Sequence, residues 1–291
     1  MMLIFDEKAP QMTKILIPTD FSLNANNAID YALELFKYQP CIFFFINVYK
    51  MEFGNRAALN SPTSKDYELE NEKSKSLKGL KEAVKRITAS SSATDHSYEI
   101  ITSLDDLDDA MKSVIKKEQI NLVVMGTKGA SNYEKKAFGS NAIHTMEYVD
   151  ECPILSVPLD FKVKDTHEVV LTTDYKLKYH KNQIEQFKQV IHFLQGHLCI
   201  LHVAEEKELN TSESKNREWL EGQFQGIPHT FHHVTGHDVK EGVRHFIESR
   251  DSSMLAFGNR KHSFLSKLFS TNMAMEFGMF SDIPLFVMSG K

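Results

Sequence analysis

A chain of 291 residues is too long for one typical domain and suits two of about 140 residues each. Hydrophobic residues make up 42% and charged residues 25%, the balance of a chain that buries real cores in water. The net charge of -5, with no basic stripe, argues against a nucleic-acid partner, and no apolar run approaches the roughly 18–20 residues of a membrane span.

Met1–Gln11 contains acids and lacks the basic start and long apolar centre of a signal peptide, so residues 1–11 are expected to be an N-terminal extension of a cytoplasmic protein. Lys14-Ile-Leu-Ile-Pro-Thr-Asp20 then reads as a first strand ending in an acid. Ala25, Ala28, Ile29, Ala32, Leu33 and Phe36 fall on one helix face, with Ser22 or Asn24 as its cap. Ile42–Val48 is a second strand, whose Phe43-Phe44-Phe45 suits burial on both sides. A long excursion, Met51–Ser92, follows: a polar stretch at Asn60–Ser64, a charged helical segment Tyr67–Ile87 and a serine loop at Ser90–Ser92. A helix over Asp106–Lys117 begins with acids that complement its dipole. Asn121–Gly126 and the proline-led Pro153–Val157 are further strands.

After a charged junction near Pro158–His167 the same landmarks return in the same order. Val169–Asp174, Leu198–Val203, Ser253–Gly258 and Pro284–Met288 repeat the strands; Ile184, Phe187, Ile191 and Leu194 repeat the first helix; Val239–Arg250 repeats the later one. The excursion shrinks to Glu205–Ile227. Strands alternating with helices predict an α/β fold with a parallel sheet covered on both faces, built twice. The expected domains are residues 12–160 and 161–291. Cys41, Cys152 and Cys199 are isolated in apolar runs and read as buried thiols rather than a disulfide or metal set.

Chemistry concentrates in Gly126-Thr-Lys-Gly129 and Gly139-Ser140-Asn141, between a strand end and a helix start. Glycines admit a close backbone approach, and the free N–H groups of a helix start favour an anion. Such a loop has the parts of a phosphate cradle. If the first and fourth strands are neighbours, Asp20 faces this loop where the winding reverses, the place where open parallel sheets bind ligands. Neither a Walker loop nor G-x-G-x-x-G is present.

Gly126, Gly129, Gly139 and Ser140 match the G-x2-G-x9-G-[ST] spacing of the nucleotide-binding universal stress proteins. Pro18-Thr19-Asp20-Phe21-Ser22 resembles that family's first-strand signature, and Asn47-Val48 the end of its second strand. The resemblance implies two Rossmann-like domains of the adenine nucleotide alpha hydrolase-like kind, each with a five-stranded parallel sheet in the order 3-2-1-4-5. It implies that Asp20 and the backbone of Val48 contact adenosine, while Gly126, Gly129, Gly139, Ser140 and Asn141 hold the phosphates of ATP, with a divalent cation such as Mg. It also implies that the closing strands of the two halves pair within one chain, with dimerisation of whole chains left open.

In the second half the corresponding loop reads Gly258-Asn-Arg260-Lys261, with Ser270, Thr271 and Asn272 further on. Lys261 and Ser270 replace glycines, so this half is expected to keep the fold without the nucleotide. His202, His229, His232, His233 and His237 crowd near its strands, but no acid or cysteine completes a metal set. The resulting expectation is an ATP-binding stress protein in which nucleotide is a regulatory ligand and no residue is catalytic. Two alternatives stand beside it: slow ATP hydrolysis or phosphoryl transfer, for which Lys128, Lys135 and Lys136 offer charge, and a nucleotide-free interaction scaffold using Met51–Ser92.

Overall fold

The computed structural model describes residues 12–50, 62–90, 95–128, 138–164, 168–176, 178–205, 208–236, 238–258, 280 and 282–290, with backbone alone for 62–65 and 90. The first half contributes β1 (Thr13–Pro18), β2 (Cys41–Val48), β3 (His96–Ser103), β4 (Leu122–Gly126) and β5 (Ile154–Val157). The second contributes β6 (Glu168–Thr172), β7 (His197–Ala204), β8 (His229–Thr235), β9 (Met254–Gly258) and β10 (Leu285–Met288). The strand order is β3-β2-β1-β4-β5-β10-β9-β6-β7-β8, so each half is wound 3-2-1-4-5. Pairing is parallel within each half; β5 and β10 run antiparallel, with Leu155 opposite Phe286. The expected pairing of the closing strands therefore holds within the chain, and the two sheets form one.

Helices lie on both faces because the strands are apolar on both. Phe43 and Phe45 point to one side with Ile15, Ile17 and Val124, where α1 (Leu23–Leu35) and α2 (Pro62–Ser90) cover them. Phe44 points to the other with Leu16 and Val123, under α3 (Leu107–Glu118) and α4 (Ser140–Tyr148). The second half repeats this with α5 (Lys181–Leu194) and α6 (Thr211–Gln223) on the first face and α7 (Val239–Ser249) on the other. Each buried Phe contributes about 1.5–3 kcal/mol. Across the seam the Phe36 ring meets Phe193 edge-on, centroids 5.0 Å apart, so α1 and α5 share one core.

Ser22, not Asn24, caps α1, accepting from Ala25 N at 3.2 Å. The helix in the excursion outruns the expected Tyr67–Ile87: α2 starts at Pro62, a good first helical residue, and runs through Ser90, so Ser90 belongs to the helix and not to the expected serine loop. Residues 1–11, 51–61 and 91–94 lie outside the described residues.

Candidate functional site

At the carboxyl ends of β1, β2 and β4 the first half opens a cleft of about 1140 Å³, at least as large as the roughly 300–1,000 Å³ of small-molecule sites. It lies where the winding reverses between β1 and β4. Asp20, Val48, Gly126, Ser140 and Asn141 all line it, so residues far apart in sequence converge there. Gly139 is the residue before α4; its N–H donates to Thr127 O at 2.8 Å, returning the chain to the end of β4. Gly129, Lys135 and Lys136 lie outside the described residues.

The turn after β1 is locally encoded. Thr19 N donates to Ile46 O at 2.9 Å, Phe21 N to Thr19 Oγ1 at 3.1 Å, and Ser22 N to Asp20 Oδ1 at 3.1 Å. These bonds hold Phe21 at a left-handed φ of 62°. Asp20 is exposed at the cleft while shaping its own turn. Asn47, on β2, donates from Nδ2 to Thr19 O at 2.7 Å, which fixes the strand end beside Val48.

Gly126 has a different reason to be glycine than a tight turn. A Cβ there would stand 2.8 Å from Cγ and Oδ1 of Asn24 and 3.1 Å from its backbone carbonyl carbon. Asn24 is buried on α1 and ties three pieces together. Its Nδ2 donates to Val157 O at 3.1 Å, and its Oδ1 accepts from Lys128 N at 2.6 Å and Thr127 Oγ1 at 3.4 Å. The start of the glycine loop is therefore held by a side chain from another helix.

The opposite wall is built by α2, α3 and α4. Ser76 on α2 is buried against the cleft, and its Oγ has no hydrogen-bond partner among the described residues. Lys112 and Lys128 line the cleft and make no ion pair among the described residues, whereas Lys50 sits 3.4 Å from Asp106. Ser140, His144 and Tyr148 succeed one another at helical spacing along the cleft side of α4. Asp108, in the first turn of α3, meets His144 Nδ1 through Oδ2 and accepts from Thr145 Oγ1 through Oδ1 at 2.8 Å. The Tyr148 and His144 rings are 4.2 Å apart. Asp108 thus does more than complement a helix dipole; a histidine four residues after Ser140 was the only sequence sign of the pair. Among the described residues no group of three His, Cys, Asp or Glu side chains converges to hold a metal.

The second half differs at the same turn. Tyr175 takes the place of Phe21, but is 3% exposed where Phe21 is 36% exposed. Its ring lies 5.0 Å from that of His202, whose Nδ1 contacts Thr173 O at 2.8 Å; the His233 ring follows at 5.2 Å from His202. Burial pushes the Tyr175 phenol well above its usual range, with Arg217 opposing weakly, so it stays neutral. Val203 is buried against α7, where a Cβ on Gly242 would come 2.7 Å from its Cγ1. Gly258 packs on Tyr179 rather than on an asparagine, and Arg260, Lys261, Lys267, Ser270, Thr271, Asn272 and His237 lie outside the described residues.

Comparison with known proteins fits this architecture. The chain resembles a universal stress protein from Archaeoglobus fulgidus DSM 4304, with a TM-score of 0.70, 18% identity and coverage of 97% of this chain and 100% of that one. It resembles a functionally unknown protein from Pseudomonas aeruginosa PAO1, with a TM-score of 0.60, 11% identity and coverage of 96% and 93%. Likeness at such identities concerns the fold. Among curated proteins, none matches the chain in sequence. A sequence model described as the universal stress protein family matches residues 12–158, half of the chain. The chain belongs to the universal stress protein family.

Proposed function

We propose that the first half binds an adenine nucleotide, ATP, in the cleft at the ends of β1, β2 and β4, as a ligand that regulates the protein. The observation that carries this is convergence: Asp20, Val48, Gly126, Ser140 and Asn141 line one cleft of nucleotide size at the winding reversal. Asp20 would meet the ribose and the Val48 backbone the base. The N–H groups opening α4, after Gly139, would receive the phosphates, and Gly129 is assigned the same role from the motif spacing alone. Lys112 and Lys128 supply positive charge, and the Ser76 hydroxyl, unpartnered among the described residues, offers a polar group on the wall. A divalent cation such as Mg would enter with the phosphates.

Residues 12–160 form the nucleotide-binding domain in this reading, residues 161–291 a domain that keeps the fold without the ligand, and residues 1–11 an extension. The Tyr175–His202 stack supports the second assignment, since it buries the aromatic of a turn whose counterpart Phe21 borders the cleft of the first half. No helix among the described residues is long and apolar enough to cross a membrane. Bound nucleotide would act by favouring one conformation or interface over another, which requires different affinities for the two states.

Acid extraction of freshly purified protein, followed by chromatography, tests the site directly. ATP or ADP should be released in about one equivalent per chain. Gly129→Trp should abolish that content. Extracts free of adenine nucleotide, together with no calorimetric response to added ATP, would sink the assignment.

A further inference from the structure

Nucleotide binding by itself gives no role to the pair formed by His144 and Asp108. A carboxylate can only accept, so contact with Asp108 Oδ2 makes Nδ1 of a neutral His144 the N–H nitrogen and leaves the lone pair on Nε2. Thr145 holds the other carboxylate oxygen at 2.8 Å, and the Tyr148 ring lies against the imidazole at 4.2 Å. The tautomer and the orientation are thus both set by neighbours. The His144 side chain is 59% exposed and lines the same cleft as Ser140. Helical side chains lean toward the N-terminus of their helix, so the imidazole lies over the turn that Ser140 opens. An anion received by that turn would sit next to Nε2.

The geometry points to His144 as the general base of a slow hydrolysis of the nucleoside triphosphate, with Asp108 as its positioning residue; this rests on the nucleotide site proposed above. Nε2 takes a proton from a water whose oxygen forms a bond to the γ-phosphorus. The bond from that phosphorus to the β–γ bridging oxygen breaks, and its electron pair stays with the nucleoside diphosphate. Inorganic phosphate is the second product. Asp108 balances the charge of the imidazolium, which returns its proton to solvent. Lys112 and Lys128, on the same cleft, offset charge on the moving phosphoryl group.

The test combines ATP calorimetry, phosphate release and chemical modification on the full chain. His144→Ala and His144→Gln should bind ATP as the parent does, while phosphate release falls by about 10²-fold or more. Added imidazole should partly restore release in His144→Ala, a rescue that a folding defect does not allow. Asp108→Asn should fall less and gain nothing from imidazole. A non-hydrolysable ATP analogue should shield His144 from diethylpyrocarbonate, read by mass spectrometry. The assignment is overturned if the parent binds ATP and releases no phosphate, if the variants match its rate, or if His144 stays equally reactive. A parent that binds no ATP removes the nucleotide site itself, an outcome that calorimetry separates from loss of the base.

Discussion

Thr19-Asp20-Phe21 and Thr173-Asp174-Tyr175 adopt one conformation. The aromatic residue sits at φ 62° in the first half and 53° in the second, the threonine hydroxyl accepts its N–H at 3.1 Å in both, and the aspartate closes an identical turn at 3.1 and 3.0 Å. Yet the aromatic of one turn borders a cleft and that of the other is buried. An aspartate after the first strand is therefore a feature of the fold in both copies, and does not of itself mark a site. The difference lies in what covers it: Asn47 and an open Val48 in one half, His202 and a Val203 pressed on Gly242 in the other.

Truncation of the two aromatics should separate the halves most clearly. Tyr175→Ala removes a buried ring and should cost about 3–5 kcal/mol in urea unfolding, while Phe21→Ala, partly exposed, should cost only about 1 kcal/mol. Equal losses would mean that Tyr175 is not buried as described. Next in size is Asn24→Ala, which strands Lys128 N and leaves Val157 O with Thr127 N as its donor; it should cost about 1–3 kcal/mol while weakening ATP binding in calorimetry. Gly126→Ala drives a Cβ into the Asn24 amide and backbone and should cost about 1–3 kcal/mol; Gly258→Ala meets the Tyr179 ring, which its hydroxyl bond to Thr172 O at 3.2 Å holds in place, and should cost about as much.

The smallest effect concerns acid. Lys14 and Glu168 hold equivalent positions at the starts of β1 and β6, each bonded through its carbonyl to the strand beside it. Lys14 Nζ donates to Glu118 O at 2.7 Å at the end of α3; Glu168 takes a forked contact from Arg250 and one from Ser252 at 2.9 Å. Burial works to raise the Glu168 carboxyl, but the bonds from Arg250 and Ser252 outweigh it and hold it below the usual carboxylate range. A lowered folded value means the stabilisation is complete above the unfolded pKa and is lost as pH falls through the folded one. Amide exchange followed from pH 6 to pH 3 should therefore show the second half loosening first, and Arg250→Leu should erase that order.

Strands, helices and the duplication were legible because alternating apolar runs leave little choice in water; Phe43 to Phe45 could only be buried on two sides. Strand order came from family resemblance, since register and neighbours are decided by contacts between distant segments. The site was half legible. Gly126 stood out, but its partner Asn24 looked like one more helix cap, because nothing local shows that its amide spans to Lys128 and Val157. His144 was silent because Asp108 lies 36 residues away on another helix. The ring stack in the second half was hidden for the same reason: His202 and Tyr175 meet only once β6 and β7 are side by side.

Antiparallel union of β5 with β10 has a kinetic corollary. Because both partners belong to one polypeptide, their encounter is first-order, and dilution cannot part them. Paired backbone therefore runs unbroken from β4 through β5 and β10 into β9 at any protein concentration. The backbone edges left for recruiting another molecule are β3 and β8, at opposite margins of the sheet.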